Sequence, residues 1–140
     1  MSPRFILDTD HISLYQRRHP QVVTRVLALD PAELATTTIT LGEQIQGRLA
    51  MISRSGSQPD TARGYVRLRE TVTFYQAIQL VDYTPAAIAH FEALRRQGIR
   101  IGTQDLRIAA IALAEGTILV TRNTRDFAQV PGLTLEDWAA

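Results

Sequence analysis

Short apolar runs alternate along this chain with longer segments of helical period. Arg4-Phe5-Ile6-Leu7-Asp8 is an apolar run bounded by Pro3 and Asp8, the pattern of a short buried strand. Residues 11–18 predict a short helix. Pro20 opens a second that runs to about Leu29, where Asp30-Pro31 ends it. Residues 34–39, rich in β-branched threonine, predict the next strand, and 41–53 a helix. Ser53 to Asp60 carries Ser55-Gly56-Ser57 and Pro59 and reads as a helix–helix loop. Thr61 to Tyr75 is helical and Ala77 to Val81 a strand. Pro85 opens a helix in which Ile88, Phe91 and Leu94 recur at helical spacing and Gly98 marks the end. Residues 104–115 are apolar on nearly all sides, so that helix is expected to be buried. Gly116 ends it, 117–121 predicts a strand, and 133–135 a short last one. Alternating strands and helices predict an α/β fold with a mainly parallel central sheet, residues 1–140 forming a single domain.

Four acidic residues stand out against this pattern, each just past a run that reads as extended. Asp8 closes the first strand. Glu43 follows the threonine run. Asp105 stands where the long apolar helix begins, and Asp126 follows Thr121-Arg122-Asn123-Thr124-Arg125. Ligands of open parallel sheets bind outside the carboxyl ends of the strands, so these carboxylates are expected to converge. Each also has a helix-capping explanation. Asp8 or Asp10 can cap the helix near His11, Thr40 with Glu43 and Asn123 with Asp126 have capping-box spacing, and Asp105 suits a helix N-terminus. The conjunction favours a metal site. A buried carboxylate is costly unless paired or bound to a cation, and the nearby Arg107 and Arg122 could neutralise two carboxylates at most. Hard divalent cations such as Mg²⁺ take oxygen ligands of this kind, which predicts phosphoryl transfer or phosphodiester hydrolysis. Thr9, Thr121 and Asn123 are placed to orient the carboxylates, Thr9 that of Asp8. His11 reads as an ordinary helix residue, because zinc sites want several His or Cys at set spacing.

Composition narrows the choices. The chain has no cysteine, which removes disulfides, thiolate metal sites and cysteine nucleophiles. All 15 Lys+Arg residues are arginine, so no mechanism that needs a lysine is available. The net charge of +1 says little about a polyanionic partner. No apolar stretch approaches the ~20 residues of a membrane span, and the N-terminus lacks a signal-peptide pattern, so a cytoplasmic protein without a membrane partner is expected.

The same residues resemble the PIN-domain ribonucleases, and within them the VapC toxins of toxin–antitoxin pairs. Leu7-Asp8-Thr9-Asp10-His11-Ile12-Ser13 is similar to the opening motif, and Thr38-Ile39-Thr40-Leu41-Gly42-Glu43 with Gly47 to the second. Gly98 to Ala110, around Asp105, resembles the third. Leu119 to Phe127, followed by Val130-Pro131-Gly132-Leu133 and Trp138, resembles the fourth and the C-terminal close. The resemblance runs from residue 4 to 138. It implies an α/β/α sandwich and Mg²⁺- or Mn²⁺-dependent cleavage of RNA. It also implies a homodimer and neutralisation by a VapB-type antitoxin. Asp8, Glu43 and Asp105 match the family's acidic triad. The fourth ligand is Asp126, or Asn123 through its amide oxygen or a water. Asp8 and Asp105 would hold the main metal, with Glu43 and Asp126 completing the site. Arg107, Arg122 and Arg125 are the candidates to hold the RNA backbone.

Two rivals stand beside this reading. A haloacid-dehalogenase-like phosphatase shares the opening Asp8-Thr9-Asp10 but normally uses a lysine on the phosphoryl group, and this chain has none. A catalytically inactive PIN module that binds RNA or protein would not need four intact acidic positions. The stripe of Tyr65, Leu68, Val72 and Tyr75 fits either a core face or an interface.

Overall fold

The computed structural model describes residues 3–140. Its strands are β1 (Phe5–Leu7), β2 (Leu34–Thr37), β3 (Gln79–Val81), β4 (Ile118–Val120) and β5 (Thr134–Glu136). They form one sheet in the order β3-β2-β1-β4-β5 with every neighbouring pair parallel. The chain leaves β1 towards β2 on one side and later returns to β4 on the other. That reversal makes the carboxyl ends of β1 and β4 the topological switch point, where α/β sheets open a crevice. Around the sheet lie α1 (Thr9–Gln16), α2 (Pro20–Leu27), α3 (Thr38–Ser53), α4 (Gln58–Gln76), α5 (Pro85–Arg96), α6 (Thr103–Glu115) and α7 (Thr124–Phe127).

The period-2 alternation of the central strands divides the core into two layers. Phe5 and Leu7 face one side with Leu34, packing on Ile12, Val22 and Val26 of α1 and α2 and on Tyr75 and Trp138. Ile6, Ala35 and Leu119 face the other side, packing on α5, α6 and Phe127. The sequence of α6 explains its position. Leu106 and the run Ile108 to Ala112 are all buried, as its apolarity on every side requires. The result is the expected α/β/α sandwich.

Several boundaries differ from the sequence pattern, and each has a local cause. The threonine run is divided between two elements. Thr37 ends β2, and its hydroxyl accepts the Thr40 N–H at 3.0 Å, so α3 begins at Thr38 rather than near 41. Thr40 is therefore inside the helix, and the expected Thr40–Glu43 capping box does not form. Likewise α1 begins at Thr9, because Asp8 caps it directly, and α4 begins at Gln58 behind a Ser57 cap. The segment before α6 is not a strand. Ile99 and Ile101 pack on the core from a loop, and Asp105 arrives on the first turn of a helix. Neither the short α7 nor a 3₁₀ turn at Pro31–Glu33 is visible in the hydrophobic pattern. Too short to be stable alone, α7 is anchored by the fully buried Phe127. Among the described residues no helix is long and apolar enough to cross a membrane.

α3 and α4 form an antiparallel hairpin whose close approach depends on Gly64. A Cβ there would meet Ile52 Cγ1 at 2.7 Å, whereas a Cβ at Gly47 of α3 would meet nothing within 4 Å. Gly64→Ala is expected to destabilise the protein by about 1–3 kcal/mol through overpacking. Gly47→Ala should instead stabilise it by up to about 1 kcal/mol through helix propensity. Chemical denaturation of the two variants checks the contrast, and equal effects would contradict this packing.

Candidate functional site

The site is built from four separate chain segments at the switch point. The Asp8 N–H donates to the Val120 carbonyl at 3.0 Å, which ties the end of β1 to the end of β4. The Asp8 side chain is buried, and its Oδ1 accepts the His11 N–H at 2.8 Å. Glu43 projects from the second turn of α3. The Thr9 hydroxyl donates to its Oε1 at 2.6 Å and lies 3.1 Å from the Thr40 hydroxyl. Asp126 lies on α7, where the Asn123 side-chain amide donates to its Oδ2 at 3.0 Å. Asp105, on the first turn of α6, has no side-chain hydrogen-bond partner among the described residues.

Asp105 feels the charge of the other three carboxylates. Burial pushes the Asp105 carboxyl up to about 6, and the charges of Asp8, Glu43 and Asp126 push it in the same direction. Among the described residues no arginine lies within ion-pair distance of the four. Arg122 is committed elsewhere: its Nε and NH2 hold both oxygens of Asp10 at 2.6 and 2.8 Å, which draws the Asp10 carboxyl below its ordinary value. Arg107 donates to Gln104 at 2.9 Å, and its guanidinium lies over the Tyr83 and Phe91 rings at 5.9 and 5.6 Å. The two nearby cations that could have neutralised carboxylates of the set thus have other partners. Arg125 is exposed on α7 and has no ion-pair partner among the described residues.

The orienting residues act on partners that sequence spacing does not identify. Thr9 holds Glu43, not the adjacent Asp8, because α1 and α3 pack side by side. The Thr121 hydroxyl accepts the Asn123 N–H at 2.9 Å and so shapes the loop rather than touching a carboxylate. Asn123 is the N-cap residue of α7 but makes no side-chain cap bond, and its amide goes to Asp126 instead. His11, an ordinary helix residue by its sequence, is fully buried behind Asp8. Its Nε2 accepts the Trp138 N–H at 3.3 Å, which leaves the ring proton on Nδ1, 3.5 Å from Asp8 Oδ1. This link from the C-terminal segment to Asp8 joins residues 127 positions apart and leaves no local signal in the sequence.

Asp8, Asp10 and His11 also lie close enough together to hold a metal ion. As a trio they are poorly suited to it. Asp10 is occupied by Arg122, and His11 offers a proton where a ligand needs a lone pair. The same Asp10–Arg122 pair argues against a phosphatase that uses Asp10 as general acid. The four-carboxylate set suits a hard divalent cation better. Its donors are all oxygen, they carry excess negative charge, and among the described residues none has an arginine within ion-pair distance.

The family model of the PIN domain matches residues 5–133. The tRNA(fMet)-specific endonuclease VapC of Shigella flexneri is 31% identical, over 97% of this chain and 98% of that protein. The chain belongs to the PIN-domain family, in its VapC branch. Ribonuclease VapC2 of Haemophilus influenzae strain Rd is 28% identical over 96% of this chain and 98% of its own length. Among solved PIN-domain structures, DNA-bound VapBC from Salmonella typhimurium has a TM-score of 0.75 at 27% identity, covering 97% of this chain and 98% of that one. VapBC-1 from nontypeable Haemophilus influenzae also has a TM-score of 0.75, at 26% identity, with coverage of 97% and 98%. PIN-domain nucleases are generally dependent on divalent metal.

The raised Asp105 value has a definite sign in stability. A carboxyl titrating near 6 in the folded chain and near 3.8 when unfolded stabilises the fold most when protonated. Its contribution declines as pH rises between those values. Metal-free protein is therefore expected to lose thermal stability across this window, and Asp105→Asn should remove that component. Millimolar Mg²⁺ should raise Tm strongly near pH 7.5 and little near pH 5, where protons compete for the same oxygens. Thermal scans check this, and an equal Mg²⁺ effect at both pH values would contradict it.

Proposed function

We propose that this chain is a metal-dependent endoribonuclease, the toxin of a pair in which a VapB-type antitoxin holds it inactive. The observation that carries the reading is that burial and the charges of Asp8, Glu43 and Asp126 all act on Asp105, with no arginine within ion-pair distance of the four among the described residues. It stands in a PIN domain whose relatives are named ribonucleases and a tRNA(fMet)-specific endonuclease. The solved VapBC structures it resembles, one bound to DNA, support an antitoxin partner. The substrate class is single-stranded or structured RNA, and the metal Mg²⁺ or Mn²⁺. The protein works in the cytoplasm as a homodimer. Tyr65 and Val72 of the α4 stripe are 57% and 47% exposed while Tyr75 is buried, so part of that stripe is free for protein contacts.

In this reading three of the four carboxylates are each held by one oxygen and offer the other. Asp8 Oδ1 is anchored by the His11 N–H, Glu43 Oε1 by Thr9 and Asp126 Oδ2 by Asn123. Asp105, without such an anchor, offers both. Asp8 and Asp105 hold the principal cation, and Glu43 and Asp126 complete its surroundings. A bound divalent ion supplies Lewis-acid stabilisation of the phosphate and an acidified water for hydrolysis. The protein contributes preorganisation, since the Thr9, Asn123 and His11 contacts fix rotamers before substrate arrives.

Asp8→Asn and Asp105→Asn are expected to abolish cleavage while leaving the fold intact, because an amide oxygen at position 8 still caps α1. Loss of an outer hydrogen-bond partner already costs about 10–100-fold in such sites, so loss of a ligand should cost more. Purified, antitoxin-free protein incubated with total cellular RNA should give discrete fragments with Mg²⁺ or Mn²⁺ and none with EDTA. Metal binding without cleavage of any RNA would favour an inactive binding module, and undiminished activity in either variant would overturn the site assignment.

A further inference from the structure

A cleft of about 570 Å³ between α1, α3 and α4 gathers three arginines that the carboxylate centre does not use. Its lining includes Ser13, Gln16, Arg17, Arg48, Arg67 and Glu70. The floor is a closed polar network. Gln16 and Gln44 exchange amide hydrogen bonds at 2.9 Å in each direction, Gln44 also donates to Ser13 Oγ at 3.2 Å, and the Tyr75 hydroxyl donates to Gln44 Oε1 at 2.7 Å. Arg48 Nε donates to Thr71 Oγ1 at 3.0 Å, which fixes the guanidinium plane. Its terminal nitrogens have no protein partner among the described residues. Arg17 and Arg67 are exposed, and among the described residues neither has a carboxylate within ion-pair distance. Glu70 is the one carboxylate in the lining, so positive charge is in excess. Burial, then repulsion from Arg67 and Arg17, draws the Arg48 guanidinium below its ordinary value. Crowded guanidinium groups without a contacting counter-ion are stabilised by an anion from outside, and their planar forks match phosphate bidentately.

The cleft continues from the carboxylate centre. Gln44, which organises its floor, directly follows Glu43, and Arg48 lies one turn beyond Gln44. Arg48 is five residues along α3 from Glu43, about 7.5 Å of rise but also about 140° round the axis, so the link to the centre runs along α1. Thr9, which holds Glu43, shares one face of α1 with Ser13 and Gln16, which line the cleft. That displacement suits a neighbouring phosphate of a bound strand rather than the phosphate being cleaved. We propose that the cleft formed by Arg17, Arg48 and Arg67 is a phosphate subsite that holds the RNA backbone beside the cleavage centre. The inference rests on the ribonuclease reading. It also moves the RNA-holding role away from Arg107 and Arg122, which the structure engages elsewhere.

The test measures binding separately from cleavage. A fluorescein-labelled, mixed-sequence single-stranded RNA is titrated, in EDTA, with the wild-type chain and with Arg17→Gln/Arg67→Gln. Both side chains are exposed, so the fold should survive, and circular dichroism checks that. The double variant is expected to bind roughly 10-fold more weakly, and its log K against log salt slope should fall by about 1 for each phosphate no longer neutralised. Unchanged affinity and slope would overturn the subsite, as would an absence of RNA binding by the wild type. RNA binding retained in the variant, with loss of its complex with an acidic protein partner, would assign the cleft to protein and equally overturn the proposal. Metal-dependent cleavage by the wild type, lost in Asp105→Asn, is scored in parallel, so failure of the ribonuclease reading is distinguished from failure of the subsite.

Discussion

Mutual repulsion among four carboxylates is the constraint on which the rest of this structure depends. Asp8, Glu43, Asp105 and Asp126 would separate if they were free in water. They stay together because each belongs to an element with its own reason for being where it is. β1 is fixed between β2 and β4. α3 is fixed by the Thr37 cap and by its packing on α4, α6 by its buried apolar body, and α7 by Phe127 in the core. Hydrophobic burial on both faces of the sheet thus offsets an electrostatic cost concentrated at its carboxyl edge. That cost is the physical basis of cation affinity, since binding a divalent ion relieves it.

Much of this is legible in the sequence because it is carried by local pattern. The apolar run before Asp8, the uniformly apolar helix after Asp105 and the alternation of elements specify a parallel α/β sheet. Glu43 and Asp126 can be singled out by position. What local pattern misses is pairing across the chain. Sequence spacing assigns Thr9 to its neighbour Asp8, but it serves Glu43, because α1 and α3 meet side by side. Asp10 and Arg122, 112 positions apart, pair with each other, a contact that sequence spacing does not show. His11 connects Asp8 to Trp138 in the same non-local way. The threonine run shows the limit on boundaries. Three identical residues suit a strand equally well by propensity, and a single hydroxyl-to-amide bond decides where the helix begins.

The division of the arginines follows from the same geometry. Arg122 is taken up by Asp10, and Arg107 by Gln104 and two aromatic rings, so neither pairs with the four carboxylates. Arg17 at the end of α1, Arg48 on α3 and Arg67 on α4, none with a carboxylate within ion-pair distance among the described residues, line a separate cleft. An anionic pocket next to a cationic cleft is an arrangement suited to a polyanion that must meet a metal ion at one phosphate and be held at another.

Titration of the metal-free chain with Mn²⁺ by calorimetry near pH 7.5, beside Asp8→Asn, addresses the central claim most directly. The account predicts saturable binding to the wild type and binding weakened by about 10-fold or more in the variant, since one ligand of a shared site is removed. Wild-type affinity in Asp8→Asn, or no saturable Mn²⁺ binding by the folded wild-type chain, would contradict the claim that these carboxylates form one cation site.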